Sequence, residues 1–370
     1  MCNGVLAIDA AREVARIAQW LRTAVGGRLR RRGVIVAMSG GVDSSVCAAL
    51  AVTALGKERV LGLLLPELES SASSESLGAR VALQFGIPHV TENIGPALTA
   101  MGCYRWRDQA IREVMPQFDT GWKSKIAIVT TAGLGLSYFK LVVQSPDGEI
   151  SEQRLPARQY LQIVAATNYK QRLRKSIEYF HADRLSYAVI GTPNRLEYDQ
   201  GFFVKGGDGL ADLKPIAHLY KTQVYALARH LALPDEVCNA LPTTDTYTLS
   251  QGQDEFYFGL PYDKMDLALW SHNHGVPVAD LATQLSLSRV RHSVCWTCAP
   301  AVGTAPLPWR YRPRRRGRMP PTWEPPPWLW WPAIWSAMVS AHAFNCGRVT
   351  CSGRLGHRAM PGRTRACASR

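Results

Sequence analysis

The stretch VIVAMSGGVDSS, Val34–Ser45, decides the fold that the sequence predicts. Its first five residues, Val34–Met38, are all apolar, which is typical of a short strand buried on both faces of a parallel sheet. A glycine-rich turn follows, and the apolar residues of Val46–Leu55 then favour a helix. A turn between a strand and a helix leaves backbone N–H groups free at the positive end of the helix, where an anion binds well. The stretch therefore predicts an α/β domain that binds a phosphate-bearing ligand.

The same alternation of strand and helix continues on both sides of this stretch. Further buried strands are predicted at Val60–Pro66 and Tyr187–Thr192. Further helices are predicted at Ile8–Val25 with Asp9 as N-cap, Leu77–Phe85, Arg172–His181 and Thr222–Leu231. An Asp-Gly turn signal inside Phe139–Pro156 predicts an inserted hairpin. We therefore expect an α/β fold with a doubly wound, mainly parallel sheet, helices on both faces and a small hairpin insertion.

The bulk composition is that of a soluble globular protein, with 46% hydrophobic and 19% charged residues in 370. Met1–Val14 lacks the basic segment and apolar run of a secretory signal peptide, which predicts a cytoplasmic location and no membrane association. The nine cysteines are scattered without the spacing of a small disulfide-bonded domain. We therefore expect no disulfide framework.

The net charge of +14 belongs almost entirely to the C-terminal part of the chain. From His292 onward there are twelve Arg, no Lys and a single acidic residue, which leaves +3 for the first 291 residues. The same part is rich in Trp, Pro and Cys and has no helical or strand period. We therefore predict a folded domain at residues 1–291 and a tail at 292–370 that is disordered or an out-of-frame translation. The charge of the domain itself predicts no nucleic-acid partner.

Six residues of the turn after the first strand are predicted to hold phosphate groups and their counter-ion: Ser39, Gly40, Gly41, Asp43, Ser44 and Ser45. The two glycines let the chain turn tightly, the serines supply hydroxyl donors, and Asp43 supplies a hard oxygen ligand for Mg²⁺. The segment lacks the GxxxxGK[ST] pattern of the GTPase-type loop.

SGGVDSS resembles the pyrophosphate loop of the ATP pyrophosphatase superfamily, whose members cut ATP between its α and β phosphates. The loop does not choose among them, but Asn168–Lys221 does. Its segments GT-x-N-x-x-E, F-x-K-x-GDG and D-x-x-P-I-x-x-LYKTQ follow in the order of the NAD synthase signature. The likeness extends from the N-terminal helix to about residue 290 and includes Pro242–Asp266. The chain is thus similar to the NAD synthase family, which implies an adenine nucleotide α-hydrolase-like fold.

The resemblance implies a carbon–nitrogen ligase that amidates nicotinic acid adenine dinucleotide (deamido-NAD) with ammonia through an acyl-adenylate, releasing AMP and pyrophosphate. It implies ATP as co-substrate, Mg²⁺ as cofactor and no covalent protein nucleophile. Beside the loop residues, it assigns Thr192, Lys221 and Thr243 to ATP and Arg172, Lys205 and Asp212 to deamido-NAD. It assigns Asp43 and Glu197 to the metal. Asp208, between glycines, is interpreted as a turn former.

Only 38 residues precede the loop, which is too few for the glutaminase domain of glutamine-using relatives. The ammonia-using form is therefore expected, with a separate glutaminase partner left open, and the family likeness implies a homodimer. After Leu287 the likeness ends without the family's closing basic segment. Two alternative functions therefore stay open. One is a tRNA-thiolating enzyme of the same superfamily that uses Cys295 and Cys298, and the other is an inactive nucleotide-binding homologue.

Overall fold

The structure is a computed structural model, and it describes residues 4–130, 137–240, 247–249, 261–277 and 280–281. Thr243, the Cys295–Cys298 pair and the predicted tail 292–370 lie outside the described residues.

The structure contains the three strands predicted for the parallel sheet. In the described residues the strands are β1 (Gly33–Ala37), β2 (Val60–Leu64), β3 (His89–Thr91), β4 (Lys123–Thr130), β5 (Ser137–Gln144), β6 (Ile150–Arg154) and β7 (Tyr187–Ile190). A parallel sheet has the order β3-β2-β1-β7. The chain runs outward from β1 to β3 and then returns to the other side of β1. The carboxyl ends of β1 and β7 therefore form the switch point at which open α/β sheets bind ligands.

Helices cover both faces of this sheet, as predicted. The α-helices of the described residues are α1 (Ala10–Arg22), α2 (Val42–Leu55), α3 (Ala72–Gln84), α4 (Gly95–Ala100), α5 (Cys103–Val114), α6 (Ala157–Leu185), α7 (Arg195–Gln200), α8 (Lys221–His230), α9 (Asp235–Asn239) and α10 (Tyr262–Asn273). One apolar core joins α1, α2 and α8 to one face, and a second joins α5 and α6 to the other. Asp9 caps α1 by accepting from the N–H of Arg12 at 3.1 Å. In the described part of the chain, no helix combines the length and apolarity that crossing a membrane requires.

The predicted hairpin insertion is part of a larger, antiparallel sheet of order β4-β5-β6. Strands β5 and β6 form the hairpin at the Asp-Gly turn, where Gly148 has a φ of +89°. The additional strand, β4, pairs with β5 along its whole length. The described residues 247–249 attach to β4, since Leu249 donates to the carbonyl of Ser124 at 3.2 Å.

A buried ionic network ties the loop after β2 to α5 and α6. The Lys170 ammonium of α6 is 1% exposed and lies 3.0 Å from Glu67 Oε1, and it also contacts Glu69. Arg107 of α5 pairs with Glu69, and the Tyr104 hydroxyl donates to Glu67 Oε2 at 2.7 Å. Removing one partner of a buried charge pair is strongly destabilising, because the other charge stays buried without compensation.

Lys170→Met should therefore lower the free energy of unfolding by about 3–5 kcal/mol, because it leaves the buried Glu67 without its cation. Urea denaturation measures the loss. Lys140→Met is the matched control, since Lys140 pairs with the half-exposed Glu152 at 2.7 Å. The free energy of unfolding of Lys140→Met should fall by less than about 1 kcal/mol. Equal losses in the two variants would contradict the role given to burial.

Candidate active site

The predicted phosphate loop joins β1 to α2 in the expected order. Gly41 is the N-cap residue of α2, and the Ser44 and Ser45 hydroxyls donate to its carbonyl at 3.0 and 2.8 Å. Ser39 Oγ accepts from the Gly41 N–H at 3.3 Å. Ser44 and Ser45 are buried, whereas Ser39 and Gly41 are exposed. Ser44 and Ser45 thus hold the loop's shape, while Ser39 and the backbone face solvent, where a phosphate can approach.

Gly40 is the residue whose lack of a side chain the loop requires. Its φ is +78°, a left-handed conformation that costs any other residue. A Cβ placed on it would lie 2.4 Å from the Ser74 carbonyl oxygen of α3. Gly78 of α3 is equally constrained, because a Cβ there would lie 2.9 Å from the carbonyl oxygen of Met38. The loop and α3 therefore meet backbone against backbone.

Gly40→Ala should lower the free energy of unfolding by about 3 kcal/mol, through the backbone strain and the clash together. Gly41→Ala is the control, because Gly41 has an ordinary φ of −75° and its Cβ would meet only Ser39 Oγ at 3.3 Å. Its cost should stay below about 1 kcal/mol. Thermal and urea denaturation of the two variants measure the difference. A cost for Gly41→Ala as large as that for Gly40→Ala would refute this account of the loop.

Asp43, in the first turn of α2, is the centre of a cluster assembled from distant parts of the chain. Its Oδ2 contacts the Lys221 ammonium, at the start of α8. Its Oδ1 accepts from the Asn194 side-chain amide at 3.2 Å. Lys221 is 1% exposed, so it is a buried member of the site and not a surface lysine. The structure therefore brings together two of the predicted ATP ligands.

Glu197 joins the same cluster through Asn194. Its Oε2 accepts from the Asn194 backbone N–H at 3.0 Å, while its own N–H donates to Asn194 Oδ1 at 3.2 Å. This reciprocal capping box starts α7 and fixes the Glu197 carboxyl beside Asp43. Burial and the charge of Asp43 raise the pKa of Glu197 to about 8, against the opposing effect of Lys221. Burial by itself would lower the pKa of Lys221, but the carboxylates of Asp43 and Glu197 outweigh it and the pKa is raised.

Two carboxyl groups close enough for the charge of one to raise the pKa of the other suit a divalent cation. Mg²⁺ in nucleotide sites is held by one or two carboxylates together with substrate phosphates and water. Within the described residues, no group of three or more His, Cys, Asp or Glu could hold a metal by itself. Asp43 and Glu197 thus fit a metal that is shared with a bound phosphate.

Thr192 follows β7 directly and lies at the same edge of the sheet as the loop. β7 pairs with β1 in parallel, so their carboxyl ends are neighbours. The N–H of Gly191 donates to the Leu213 carbonyl at 2.7 Å, which fixes the backbone just before Thr192. Thr192 is half-buried at this switch point.

The residues predicted to bind the dinucleotide lie on α6 and the segment after α7. Arg172 Nε donates to the Lys205 carbonyl at 3.2 Å, and both side chains are exposed. Asp212 accepts from the Val189 N–H at 2.8 Å and from the Tyr179 hydroxyl at 3.3 Å. The structure thus brings Arg172 and Lys205 together and holds Asp212 against β7.

Asp208 closes the turn in this segment, as predicted. Its Oδ1 accepts from the N–H groups of Val204 at 2.6 Å and Gly209 at 3.1 Å.

Two residues of the site were missed from the sequence. Asn194 lies inside the GT-x-N-x-x-E segment. Asn is a preferred N-cap residue, so this position could have been predicted to start a helix. Asp266 is fully buried in α10 and accepts from the N–H groups of Lys221 and Thr222. An acidic residue within the apolar run MDLALW was its signal.

Comparison with known proteins agrees with the geometry. The sequence profile described as NAD synthase matches residues 13–115 and 107–296. The NH3-dependent NAD+ synthetase of Rhizobium rhizogenes is 56% identical over 293 residues, which cover 78% of this chain and 88% of that protein. The protein of the same name from Mesorhizobium japonicum is 56% identical over 285 residues, covering 77% of this chain and 89% of the relative.

Solved structures share the fold. A structure titled NMN synthetase from Francisella tularensis is similar with a TM-score of 0.53 and 22% identity, covering 77% of this chain and 92% of that one. An NH3-dependent NAD synthetase from Campylobacter jejuni is similar with a TM-score of 0.51 and 21% identity, covering 78% and 92%. Taken with the profile match over most of its length and the identity to its relatives, the chain belongs to the NAD synthase family.

Proposed function

We propose that this chain converts deamido-NAD to NAD⁺ with ammonia, using ATP as co-substrate and releasing AMP and pyrophosphate. It is a carbon–nitrogen ligase that binds ATP and serves NAD biosynthesis, as its family membership implies. The observation that carries the proposal is the Asp43–Lys221 contact at the loop, inside a chain 56% identical to proteins named NH3-dependent NAD+ synthetase. The tRNA-thiolating and inactive alternatives have no comparable support.

The ATP triphosphate would lie against the loop at the carboxyl ends of β1 and β7. The N–H groups of the loop and the N-terminus of α2 would donate to phosphate oxygens. The buried Lys221 ammonium supplies the positive charge at the pyrophosphate end. Thr192 and Thr243 would complete the contacts to ATP.

Asp43 and Glu197 would hold Mg²⁺ in this site. Held there, the cation would supply positive charge to the phosphate oxygens of ATP. The support lies in the position of two carboxyl groups beside one buried ammonium, where burial and the charge of Asp43 raise the pKa of Glu197 and a bound cation would relieve the repulsion between the two carboxylates.

Arg172, Lys205 and Asp212 would bind deamido-NAD. The exposed Arg172 and Lys205 side chains carry the positive charge that suits its pyrophosphate, and the planar fork of Arg172 matches a phosphate bidentately. The hydrogen bond from Arg172 Nε to the Lys205 carbonyl supports this assignment because it joins the two segments that carry these cations, and both side chains are exposed.

The reaction needs no protein nucleophile. An oxygen of the nicotinate carboxylate attacks the α-phosphorus of ATP, and the bond from that phosphorus to the bridging oxygen breaks, so pyrophosphate departs. Ammonia then attacks the activated carbonyl carbon, the carbon–oxygen bond to AMP breaks, and the nitrogen loses a proton. The residues of the site accelerate both steps by holding the reactants in place and stabilising charge that develops on the phosphate.

The proposal is tested by comparing NAD⁺ formation with ammonium chloride and with glutamine as the nitrogen donor. With ATP, Mg²⁺ and deamido-NAD, the chain should form NAD⁺ from ammonium and none from glutamine. NAD⁺ formation from neither donor would refute the proposal. A separate glutaminase, added with glutamine, should restore turnover if it supplies the ammonia. A homodimer and a cytoplasmic location are part of the same proposal.

We also propose that the tail, residues 292–370, is not an evolved functional module. Its single acidic residue and complete lack of Lys support this, as does the end of the profile match at residue 296. A frameshift changes composition at one codon. Another reading frame of the coding DNA near codon 290 should therefore encode a short helix followed by a Lys-Arg-Arg segment. Open frames without that segment would contradict the proposal.

A further inference from the structure

Helix α10 caps the helix that carries Lys221. Asp266 of α10 is 0% exposed, and its Oδ1 accepts from the Lys221 backbone N–H at 3.2 Å. Its Oδ2 accepts from the N–H of Thr222 at 2.7 Å. A local capping box is present, in which Gln223 Oε1 accepts from the Tyr220 N–H at 3.0 Å, and the Asp266 carboxylate adds a second cap from 44 and 45 residues farther along the chain. The N-terminus of α8 is thus fixed by another helix.

The same face of α10 also contacts the Lys221 side chain. Tyr262 lies four residues before Asp266, hence on the same side of the helix. The centroid of its ring is 5.4 Å from the Lys221 ammonium, which is the geometry of a cation–π contact. Helix α10 therefore restrains both the backbone and the charged end of Lys221.

Apolar packing keeps α10 at this place. Met265 and Leu269 of α10 pack with Leu196 and Tyr220 in one buried cluster. Leu196 directly precedes Glu197 and Tyr220 directly precedes Lys221. The helix is thus packed against the residues that precede Glu197 and Lys221.

We propose that Asp266 is a positioning residue, which aims the Lys221 ammonium at the phosphates of ATP by fixing the first turn of α8. The inference rests on the proposed role of Lys221. A lysine side chain has four rotatable bonds, so an ammonium is directed only if its backbone is held. The loss of Asp266 frees two N–H groups at the start of α8 and lets the first turn fray.

Calorimetric binding of Mg·ATP to Asp266→Ala and Asp266→Asn tests the proposal. The Kd for ATP should rise about tenfold in Asp266→Ala, as expected for the loss of two hydrogen bonds to a charged acceptor, and less in Asp266→Asn, which keeps one acceptor. The Kd for deamido-NAD should not change. Asp263→Asn, an exposed acid on the same helix, is the matched control and should bind both ligands like the wild type. If Asp266→Ala does not fold, Asp266→Asn carries the comparison.

A double-mutant cycle with Lys221→Met separates positioning from general stability. In the Lys221→Met background, Asp266→Ala should raise the Kd for ATP no further, because its effect acts through Lys221. The inference would be overturned if the fold-increases in the Kd for ATP from the two substitutions multiplied in the double variant. It would also be overturned if Asp266→Ala raised the Kd values for ATP and deamido-NAD alike, and either result would leave the role of Lys221 intact. An unchanged Kd for ATP in Lys221→Met alone would instead refute the proposed role of Lys221, and the inference with it.

Discussion

Asp43→Asn should lower kcat/KM for the ATP-dependent reaction by at least about a hundredfold, the effect typical of removing one preorganised electrostatic contact to a reacting phosphate. The substitution deletes one of the two carboxylates proposed for Mg²⁺ and the anion that directs Lys221. The fold should remain, since Asn keeps the shape of Asp and Glu197 still faces Lys221. Steady-state kinetics at saturating deamido-NAD, with circular dichroism to verify folding, measure the effect.

Asp199→Asn is the control for that experiment, because Asp199 lies on α7 near Glu197 and pairs on the surface with Arg195 at 3.2 Å. It should retain wild-type turnover. Wild-type turnover in a folded Asp43→Asn variant would remove the basis for placing the metal at this carboxylate.

Lys221→Met should have a comparable effect, with kcat/KM for ATP reduced at least about a hundredfold. The buried ammonium contacts Asp43 and interacts electrostatically with Glu197, so its removal takes positive charge away from the proposed phosphate site. The KM for deamido-NAD should change little, because Arg172 and Lys205 lie elsewhere. Steady-state kinetics with each substrate varied in turn distinguish an effect on ATP from an effect on deamido-NAD.

Lys57→Met, an exposed lysine after α2, is the matched control and should behave as the wild type. If Lys221→Met raised the KM for both substrates equally, the assignment of Lys221 to ATP alone would be wrong.

Local sequence patterns were enough to predict three of the four strands of the parallel sheet, the loop and the Asp-Gly hairpin. β1, the loop and α2 are neighbours in the chain, so their hydrophobic periods and glycines describe the local geometry directly. The strand β4 was not predicted, since the Asp-Gly signal marks only the second turn of the three-stranded sheet, between β5 and β6.

The centre of the site depends on contacts between residues far apart in sequence. Asn194 reaches Asp43 across 151 positions and Lys221 reaches it across 178. Family resemblance predicted Asp43, Glu197 and Lys221 as a set, but their burial and the Asn194 bridge appear only once the chain is folded. Asp266 illustrates the same limit, because a buried acid in an apolar helix signals a partner without naming it.

Isotope transfer from the substrate carboxyl group tests the central claim most directly. Deamido-NAD carrying ¹⁸O in its nicotinate carboxylate is incubated with the wild-type chain, ATP, Mg²⁺ and ammonium, and the products are analysed by mass spectrometry. With both carboxylate oxygens labelled, an acyl-adenylate predicts equal amounts of AMP that carries one ¹⁸O, NAD⁺ that keeps the other ¹⁸O in its amide, and unlabelled pyrophosphate. Unlabelled AMP, or ADP with labelled phosphate, would contradict it.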